Sequence, residues 1–439
     1  MIVELELGNY LSFKNRQIIS FRSSKTQQHK EHVPVVKKVK ERISPVACFF
    51  GPNSAGKTNV FKALDLIKNL AVAADPNLSS LIIPFKLDES SEKETSFFRI
   101  QFVCKTDTVF ELSFSASAQK IFSEKLTFTN YSGTKTLYSR NSDRFKSCLE
   151  LTPEKKSTWD FMVGNTASDC LLLNTIRMPA VRKSFAWADE IYYWFNHLYL
   201  VTPRTKFLPI PSFASSSERL TPGHNIEQLL KDLNTGLDGI KFVDYSFSNL
   251  ATNLQDDLKR QLKVGMLLGV SYGRDYIITF IDQKTNEFKA RKLTTYHKLN
   301  DSKMVSFNLS DESDGVRRLI DLGPVLLALL QDPNVPSVFI IDELDRSLHT
   351  LMTKQIIECF LSLSSAASRR QMIFTCHDIL LMDSKILRQD QMFIIKKDKQ
   401  FSEISRIHDM PGVRADKDIM KLYLEGKLGG IPKFPDIQL

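Results

Sequence analysis

The chain has 439 residues, 42% of them hydrophobic and 25% charged, with a net charge of +9 and six scattered cysteines. This composition is ordinary for a globular protein, and the length predicts two or three domains, or one large domain with an insertion. No apolar run approaches the roughly 18 residues needed to cross a bilayer, and Glu4 and Glu6 occupy a start where a secretory signal carries positive charge. We therefore expect a cytoplasmic protein with reduced thiols and no membrane association.

The predicted elements begin with strands and later alternate between helix and strand. Alternating apolar residues between Val3 and Phe21 predict a hairpin, and the apolar run at 43–50 predicts a buried parallel strand followed by a helix. Further strand-like runs lie at 97–103, 109–114, 125–129, 240–247, 276–281, 305–309, 338–341, 372–375 and 392–395. Helical spacing marks 316–330 and 351–363. We predict an N-terminal lobe at 1–150, a mainly helical insertion at 151–239 and a C-terminal lobe at 240–439.

A phosphate-binding loop follows the first buried strand, where GPNSAGKT fits the pattern G-x-x-x-x-G-K-[ST]. The glycines let the backbone curl around phosphates at the positive end of the next helix. The lysine is expected to reach the β- and γ-phosphates, and the threonine hydroxyl to ligate Mg²⁺. A chance match is the alternative, but the strand before and the helix after favour the functional interpretation. The sequence predicts ATP and Mg²⁺, bound by Gly51, Asn53, Gly56, Lys57 and Thr58.

Two later strands end in residues suited to hydrolysis. SVFIIDE ends an apolar strand with Asp342, a candidate Mg²⁺ ligand, and Glu343, a candidate base for the attacking water. QMIFTCHD is again strand-like and ends at His377, which could donate a hydrogen bond to the γ-phosphate. Acidic or histidine residues that merely end a strand are the alternative for each. The order of the three motifs favours the catalytic interpretation.

Between the loop and these strands, ESDG opens a predicted helix. On local grounds Ser313 or Asp314 is a helix cap. The order of P-loop, S-x-G, DE and His is, however, that of ABC-type ATPases, which places Ser313 and Gly315 at the signature positions. Glu312 and Asp314 then bring negative charge near a phosphate. Together GPNSAGKT, ESDGVRRL, FIIDELDRSLH, IFTCHD, LRQDQMFIIKKD and YLEGKLGGIP resemble the stand-alone RecF/OLD-like ATPases of prokaryotic abortive-infection systems.

The resemblance implies an α/β fold: an ABC-type P-loop ATPase head with a mixed β sheet and a parallel core, plus the largely helical insertion. It also implies a homodimer or higher homo-oligomer, in which the P-loop of one copy and Ser313 and Gly315 of another enclose each ATP. Asp345 and Ser347 would lie at the same seam, that is, at the interface where two copies enclose an ATP. Because OLD-type proteins carry a nuclease domain after the ATPase and only about 60 residues follow His377, we expect a separate nuclease or toxin effector.

Three functions remain open at this stage. The first is the ATPase of a phage-defence pair, similar to that of PARIS-type systems, which senses a phage-encoded trigger and controls the effector. The second is a RecF-like DNA-repair clamp, and the third a scaffold that binds ATP with little turnover.

Some residues outside these motifs have two interpretations. Basic residues between Lys14 and Arg42 form either a solvated face or a surface for nucleic acid or another acidic partner. Asp416 and Asp418 form a D-x-D pair that is more often an ordinary polar loop than a nuclease centre. Gln101 is only a positional candidate for a glutamine that would contact the nucleotide site.

Overall fold

The computed structural model describes residues 1–205, 228, 230, 231, 233, 235–300, 303–330, 335–398, 400–414 and 417–431. Within these residues, no helix combines the length and apolar character needed to span a bilayer. All six cysteines are free. The chain divides into two compact units: the first contains Met1–Thr202, Asp332–Asp345 and Ile356–Leu439, and the second contains Pro203–Gln331 and Arg346–Gln355.

The described helices and strands are numbered in chain order. The helices are α1 (Lys57–Val72), α2 (Leu78–Leu81), α3 (Glu89–Lys93), α4 (Pro153–Gly164), α5 (Pro179–Ser184), α6 (Ala186–Asn196), α7 (Thr252–Gln261), α8 (Asp314–Leu330), α9 (Thr350–Ser362) and α10 (Ile419–Leu424). The strands are β1 (Ile2–Gly8), β2 (Gln17–Ser20), β3 (Val35–Val36), β4 (Glu41–Arg42), β5 (Val46–Phe50), β6 (Ser96–Val103), β7 (Val109–Ala116), β8 (Ile121–Asn130), β9 (Gly133–Asn141), β10 (Arg144–Ser147), β11 (Leu198–Val201), β12 (Gly239–Tyr245), β13 (Leu267–Tyr272), β14 (Asp275–Ile281), β15 (Phe288–Asn300), β16 (Lys303–Asn308), β17 (Ser337–Ile341), β18 (Arg370–Thr375), β19 (Met392–Asp398) and β20 (Phe401–Arg406).

The central sheet of the first unit has the order β11-β17-β18-β5-β19-β20. All its neighbouring pairs are parallel except β19 with β20. Every residue of β5, β17 and β18 is buried. Burial on both faces explains why β5 and β17 are nearly continuous apolar runs, while β18 carries an apolar centre between polar ends. The sheet confirms the predicted α/β fold with a mixed sheet and a parallel core.

The same unit contains an antiparallel sheet in the order β10-β9-β8-β7-β6-β1-β2. The predicted hairpin is confirmed, because β1 pairs with β2 in antiparallel register. A buried carboxylate, Glu124 of β8, fixes the following helical segment to this sheet. It accepts hydrogen bonds from the Tyr138 hydroxyl at 2.7 Å and from the backbone N–H groups of Leu172 and Leu173 at 2.7 and 3.0 Å. Burial raises the pKa of Glu124, and these donors oppose the shift.

The second unit contains a separate antiparallel sheet, β12-β15-β14-β13, with β16 added to β15. A small core of Leu250, Leu258, Leu262, Ile277 and Ala290 fills the space beside α7. Helix α8, which begins in the predicted ESDG segment, belongs to this unit as well. Sequence periodicity missed β13 and β15, the latter because its core residues alternate with lysines and threonines.

The segment after residue 151 is helical through α4, α5 and α6, and then contributes β11 to the central sheet. It packs within the first unit, whereas 240–330 belongs to the second. The predicted division into an N-terminal lobe at 1–150, an insertion at 151–239 and a C-terminal lobe at 240–439 stays a prediction. Part of the predicted insertion lies outside the described residues.

Candidate nucleotide-binding site

The phosphate loop connects β5 to α1, and two of its glycines are required by close packing. Gly51 has φ +147°, and a Cβ there would lie 2.2 Å from the carbonyl oxygen of Ile395. Gly56 has φ +107°, and a Cβ there would lie 2.5 Å from Ser402 Oγ and 2.6 Å from Ser12 Oγ. A side chain at position 51 would therefore overlap the backbone, and one at position 56 would displace two serine hydroxyls and adopt a left-handed φ, so glycine is favoured at both positions. The loop therefore needs glycine for its curvature and for its support.

Two serines from distant parts of the sequence form hydrogen bonds with this loop and with the start of α1. Ser402 Oγ donates to the carbonyl oxygen of Ala55 at 2.6 Å. Ser12 Oγ accepts from Asn59 Nδ2 at 2.8 Å, and the Ser12 carbonyl accepts from the Ser402 N–H at 2.8 Å. Helix α1 begins at Lys57 directly after this supported turn. The loop is thus held in shape by its own chain, with Asn53 and Thr58 exposed at its surface.

Lys57 lies inside the loop rather than in solvent. Its side chain is only 7% exposed, and Nζ donates to the carbonyl oxygens of Gly51 at 2.6 Å and Pro52 at 3.0 Å. Burial lowers the pKa of Lys57, while the carboxylate of Asp342 acts in the opposite direction. A desolvated ammonium group with exchangeable carbonyl partners is suited to binding a phosphate oxygen.

The carboxylate of Asp342 joins three elements. Its Oδ2 accepts from Thr58 Oγ1 at 2.9 Å, although the two residues are 284 positions apart in sequence. Its Oδ1 accepts from Thr375 Oγ1 at 2.6 Å. Thr375 also accepts from the Glu343 backbone N–H at 2.7 Å, where Glu343 has a left-handed φ of +52°. A hydroxyl beside a carboxylate supplies the hard oxygen ligands that Mg²⁺ prefers together with phosphate and water.

The two predicted catalytic side chains lie side by side. His377 Nε2 is 3.9 Å from Glu343 Oε1, and both side chains are partly exposed. Asp345 fixes the backbone at His377, because its Oδ2 accepts hydrogen bonds from the N–H groups of His377 and Asp378, each at 2.9 Å. This oxygen of Asp345 therefore orders the histidine loop within its own chain. Its predicted contact with nucleotide at a seam stays a prediction.

The signature-like segment lies in the second unit and is exposed. Ser313 caps α8, with its Oγ accepting from the Val316 N–H at 3.3 Å, as the local interpretation predicts. Gly315 lies against the loop after β17, where an added Cβ would be 2.8 Å from the carbonyl oxygen of Ser347. Ser347 is itself exposed, with a φ of +58°. Ser313, Gly315 and Ser347 are thus neighbours on one surface.

The acidic residues of ESDG are held by their own unit. Glu312 Oε1 accepts from Thr295 Oγ1 at 2.5 Å and contacts His297 Nε2 at 2.8 Å, and its side chain is 8% exposed. Asp314 is exposed and pairs with Arg317 one turn along α8. The Glu312 carboxylate is therefore directed toward the strand β15, and the expected effect of its charge on a phosphate stays a prediction.

The structure gives hydrogen-bond or ion-pair partners for several of the residues that have two interpretations. Gln101 lies in β6, accepting from Arg22 at 2.7 Å and donating to Glu111 at 2.5 Å. In the basic segment, Lys14 pairs with Asp88, Arg16 with Glu6, and Arg22 with Glu4 and Glu41. Asp418 caps α10 by accepting from the Lys421 N–H at 3.0 Å, whereas Asp416 lies outside the described residues.

Sequence reasoning missed Ser12, Ser402 and Thr375. The serines could not be found, because they approach the loop only through the fold. Thr375 is part of the motif IFTCHD. Its position at the end of β18, a strand parallel and adjacent to β17, could have indicated that it lies beside Asp342.

The sequence model of the family described as "AAA domain, putative AbiEii toxin, Type IV TA system" matches residues 46–150 and 188–383, more than half of the chain. Comparison with curated proteins gave no match. Among solved structures, the SMC head domain from Thermotoga maritima shares 12% identity at a TM-score of 0.38, covering 92% of this chain and 98% of that one. The recombination mediator protein RecF with ATPrS shares 12% identity at a TM-score of 0.37, covering 92% and 98%. These similarities are too low to bear on ligands or partners.

Thr375→Val tests whether this hydroxyl positions the predicted Mg²⁺ ligand. The change keeps the shape of the side chain but removes the donor to Asp342 and the acceptor for Glu343. We expect kcat for ATP hydrolysis to fall about 10- to 100-fold, the usual loss when a partner of a metal ligand is removed. ATP affinity should change only a few-fold. Thr353→Val, at a buried threonine of α9, is the matched control. Wild-type turnover in Thr375→Val would exclude the positioning role.

Proposed function

The chain belongs to the family of AAA domains whose sequence model it matches, and from this premise we propose that it binds ATP with Mg²⁺ and hydrolyses it. The observation that carries the proposal is the contact between Thr58 and Asp342, at 2.9 Å. It joins the phosphate loop to the carboxylate strand at the point where a nucleotide-bound Mg²⁺ is needed. Glu343 and His377 stand beside this point, 3.9 Å apart.

Each residue has a role in the proposed reaction. Lys57 would exchange its loop carbonyls for phosphate oxygens, and Thr58 and Asp342 would hold a Mg²⁺ ion, which would supply positive charge to the phosphates. Glu343 orients and deprotonates the attacking water, which displaces ADP from the γ-phosphorus. His377 donates a hydrogen bond to the γ-phosphate. Thr375 and Asp345 hold the backbone of Glu343 and of His377, respectively, through hydrogen bonds from their N–H groups.

We further propose that each site is completed by a second copy of the chain. Ser313 and Ser347 are exposed, and Gly315 joins their two segments into one surface. The positive end of the long helix α8, at Asp314 and Gly315, is suited to an anionic phosphate. Glu312 is hydrogen-bonded to Thr295 and His297, and Asp314 is paired with Arg317, so both carboxylates have partners that weaken their opposition to this contact. A homodimer or higher homo-oligomer follows, with two shared sites for each pair.

The cellular role we propose is regulation of a separate toxic effector, of the nuclease class, in response to a phage-encoded trigger. The family description names a toxin and a toxin–antitoxin system, which favours a defence role. The alternative of a DNA-repair clamp is not better supported. Lys14, Arg16 and Arg22 are paired with carboxylates, whereas the lysines at 25, 30, 37 and 40 of the same segment are exposed. A scaffold without turnover is distinguished by measuring hydrolysis.

Glu343→Gln tests the base. We expect ATP binding to persist and kcat to fall by about 10²–10⁴-fold, because the water loses its proton acceptor while Lys57, Thr58 and Asp342 remain. Lys57→Ala should instead lose binding. The matched control is Glu358→Gln, at an exposed position of α9. Binding is measured by equilibrium titration and turnover by phosphate release. Normal turnover in Glu343→Gln would show that another group is the base.

Mixing two inactive variants tests whether sites are shared. Ser313→Arg blocks the signature surface, and Lys57→Ala removes the phosphate lysine. A mixed pair has one intact seam, so an equal mixture should regain about a quarter of wild-type turnover if dimers form at random. Ser306→Arg, exposed on β16, controls for an added arginine in the same unit. Absence of rescue despite measured subunit exchange would mean that each chain completes its own site.

Because we assign the nuclease activity to a separate effector, we expect the purified chain to cut neither DNA nor RNA with Mg²⁺ or Mn²⁺. Asp342 and Glu343 are committed to the nucleotide site, and Asp418 caps a helix. Toxicity in cells should require a second protein. Lys57→Ala should uncouple the activity of that second protein from this chain. Nucleic-acid cleavage by the isolated chain that survives Glu343→Gln but disappears in Asp416→Ala would place the nuclease in this chain instead.

A further inference from the structure

We propose that His29, Glu31 and His32 form a binding site for a divalent transition-metal ion of the zinc class. The three side chains lie on one short turn of the first unit, and each offers one ligand atom within 4.8 Å of the other two. Two imidazole nitrogens and a carboxylate oxygen are the donor set of many three-ligand zinc sites. The site is separate from Lys57, Thr58 and Asp342, and no step of ATP hydrolysis uses it.

The distances favour a shared ion over direct pairing. His32 Nε2 lies 3.4 Å from Glu31 Oε1, and His29 Nδ1 lies 3.8 Å from the same oxygen. Both exceed the 2.7–3.2 Å range of a good N–H···O hydrogen bond. Two ligand atoms bound tetrahedrally at zinc distances of 2.0–2.1 Å lie about 3.3–3.5 Å apart. The His32–Glu31 distance therefore matches that of two ligands of one ion, whereas the His29 ring must move slightly closer to the carboxylate when an ion binds.

The turn that carries these residues is held by a buried ion pair. Arg388 is 2% exposed and donates to the carbonyl oxygens of Ser24 at 3.2 Å and Thr26 at 3.1 Å, and also to that of Gln28. Burial raises the pKa of its partner Asp390, but the guanidinium outweighs this effect and holds the pKa below its usual value. Asp390 in turn accepts from the Ser24 N–H at 2.6 Å. The backbone is thus fixed at alternate positions, 24, 26 and 28, of the segment that leads into His29.

The other end of the segment is fixed in a similar way. Arg369 Nη2 donates to the Val35 carbonyl oxygen at 2.9 Å, and the Val35 N–H donates to the Ala366 carbonyl oxygen at 2.9 Å. Between these anchors His29 has φ +49° and ψ +35°, a left-handed conformation that is uncommon outside glycine. A ligand set on an anchored turn loses little freedom when it binds an ion, so the arrangement is suited to binding.

The geometry also indicates how the coordination is completed. Glu31 is 65% exposed, while the side chains of His29 and His32 are 30% and 27% exposed. The ion would therefore sit at the surface with a fourth position open to water or to a side chain of another protein. Imidazole ligands favour zinc, copper or nickel over Mg²⁺, which takes oxygen ligands. The proposed site and the nucleotide site thus select different ions.

Metal titration of the untagged, chelator-treated full-length protein tests this site. Zn²⁺ binding is followed by calorimetry in excess Mg²⁺, which occupies oxygen-ligand sites, and Co²⁺ is added separately as a visible-absorption probe of tetrahedral coordination. Wild type should bind one Zn²⁺ per chain. His29→Ala, Glu31→Gln and His32→Ala should each weaken binding at least about tenfold, since even outer partners of metal ligands contribute that much. His408→Ala, at an exposed histidine elsewhere, should bind as wild type does.

The outcomes separate the metal site from the ATPase. Circular dichroism and ATP turnover should be unchanged in the three variants, because their side chains lie outside the nucleotide site. Absence of Zn²⁺ binding by wild type at micromolar concentrations would overturn the proposal. So would Zn²⁺ binding that the three variants share with His408→Ala, because the ion would then be held elsewhere.

Discussion

The carboxylate of Asp342 is the contact on which the nucleotide site depends. It accepts one hydroxyl from the start of α1 and another from the end of β18, at 2.9 and 2.6 Å. Through Thr375 it also fixes the backbone of Glu343. Without this carboxylate, the phosphate loop would lose its hydrogen bond to the acidic strand, while Thr375 and Asp345 would still connect the acidic strand to the histidine strand. With it, their polar ends converge where a phosphate-bound cation would lie.

The order of the central sheet makes this convergence unavoidable. Strands β17, β18 and β5 are adjacent and parallel, so their carboxyl ends meet at one edge. Loops at that edge of a parallel sheet form the usual ligand crevice. The strands on either side serve the same site: β11 accepts from the Asp342 N–H at Val201, and β20 supplies Ser402 behind the loop. A site of a few side chains therefore draws on most of the sheet.

The sequence predicted the local parts of this arrangement and missed those made at long range. GPNSAGKT, the apolar run before Asp342 and the strand before His377 each contain their own signal, and the elements were predicted close to their observed positions. The support by Ser12 and Ser402 depends on the fold bringing distant serines together, and neither has a local pattern. Glu312 was expected near a phosphate because its neighbours in sequence are Ser313 and Gly315. Its partners Thr295 and His297 lie on a strand that periodicity did not detect.

The central claim is that Asp342 and Thr58 hold a nucleotide-bound Mg²⁺ in a site shared by two copies. A high-resolution structure of the Glu343→Gln protein with ATP and Mg²⁺ tests it most directly. We expect Mg²⁺ beside the Thr58 hydroxyl and the Asp342 carboxylate, with the γ-phosphate between Lys57 of one copy and Ser313 of the other. ATP bound away from the loop, or enclosed entirely by one chain, would contradict this account.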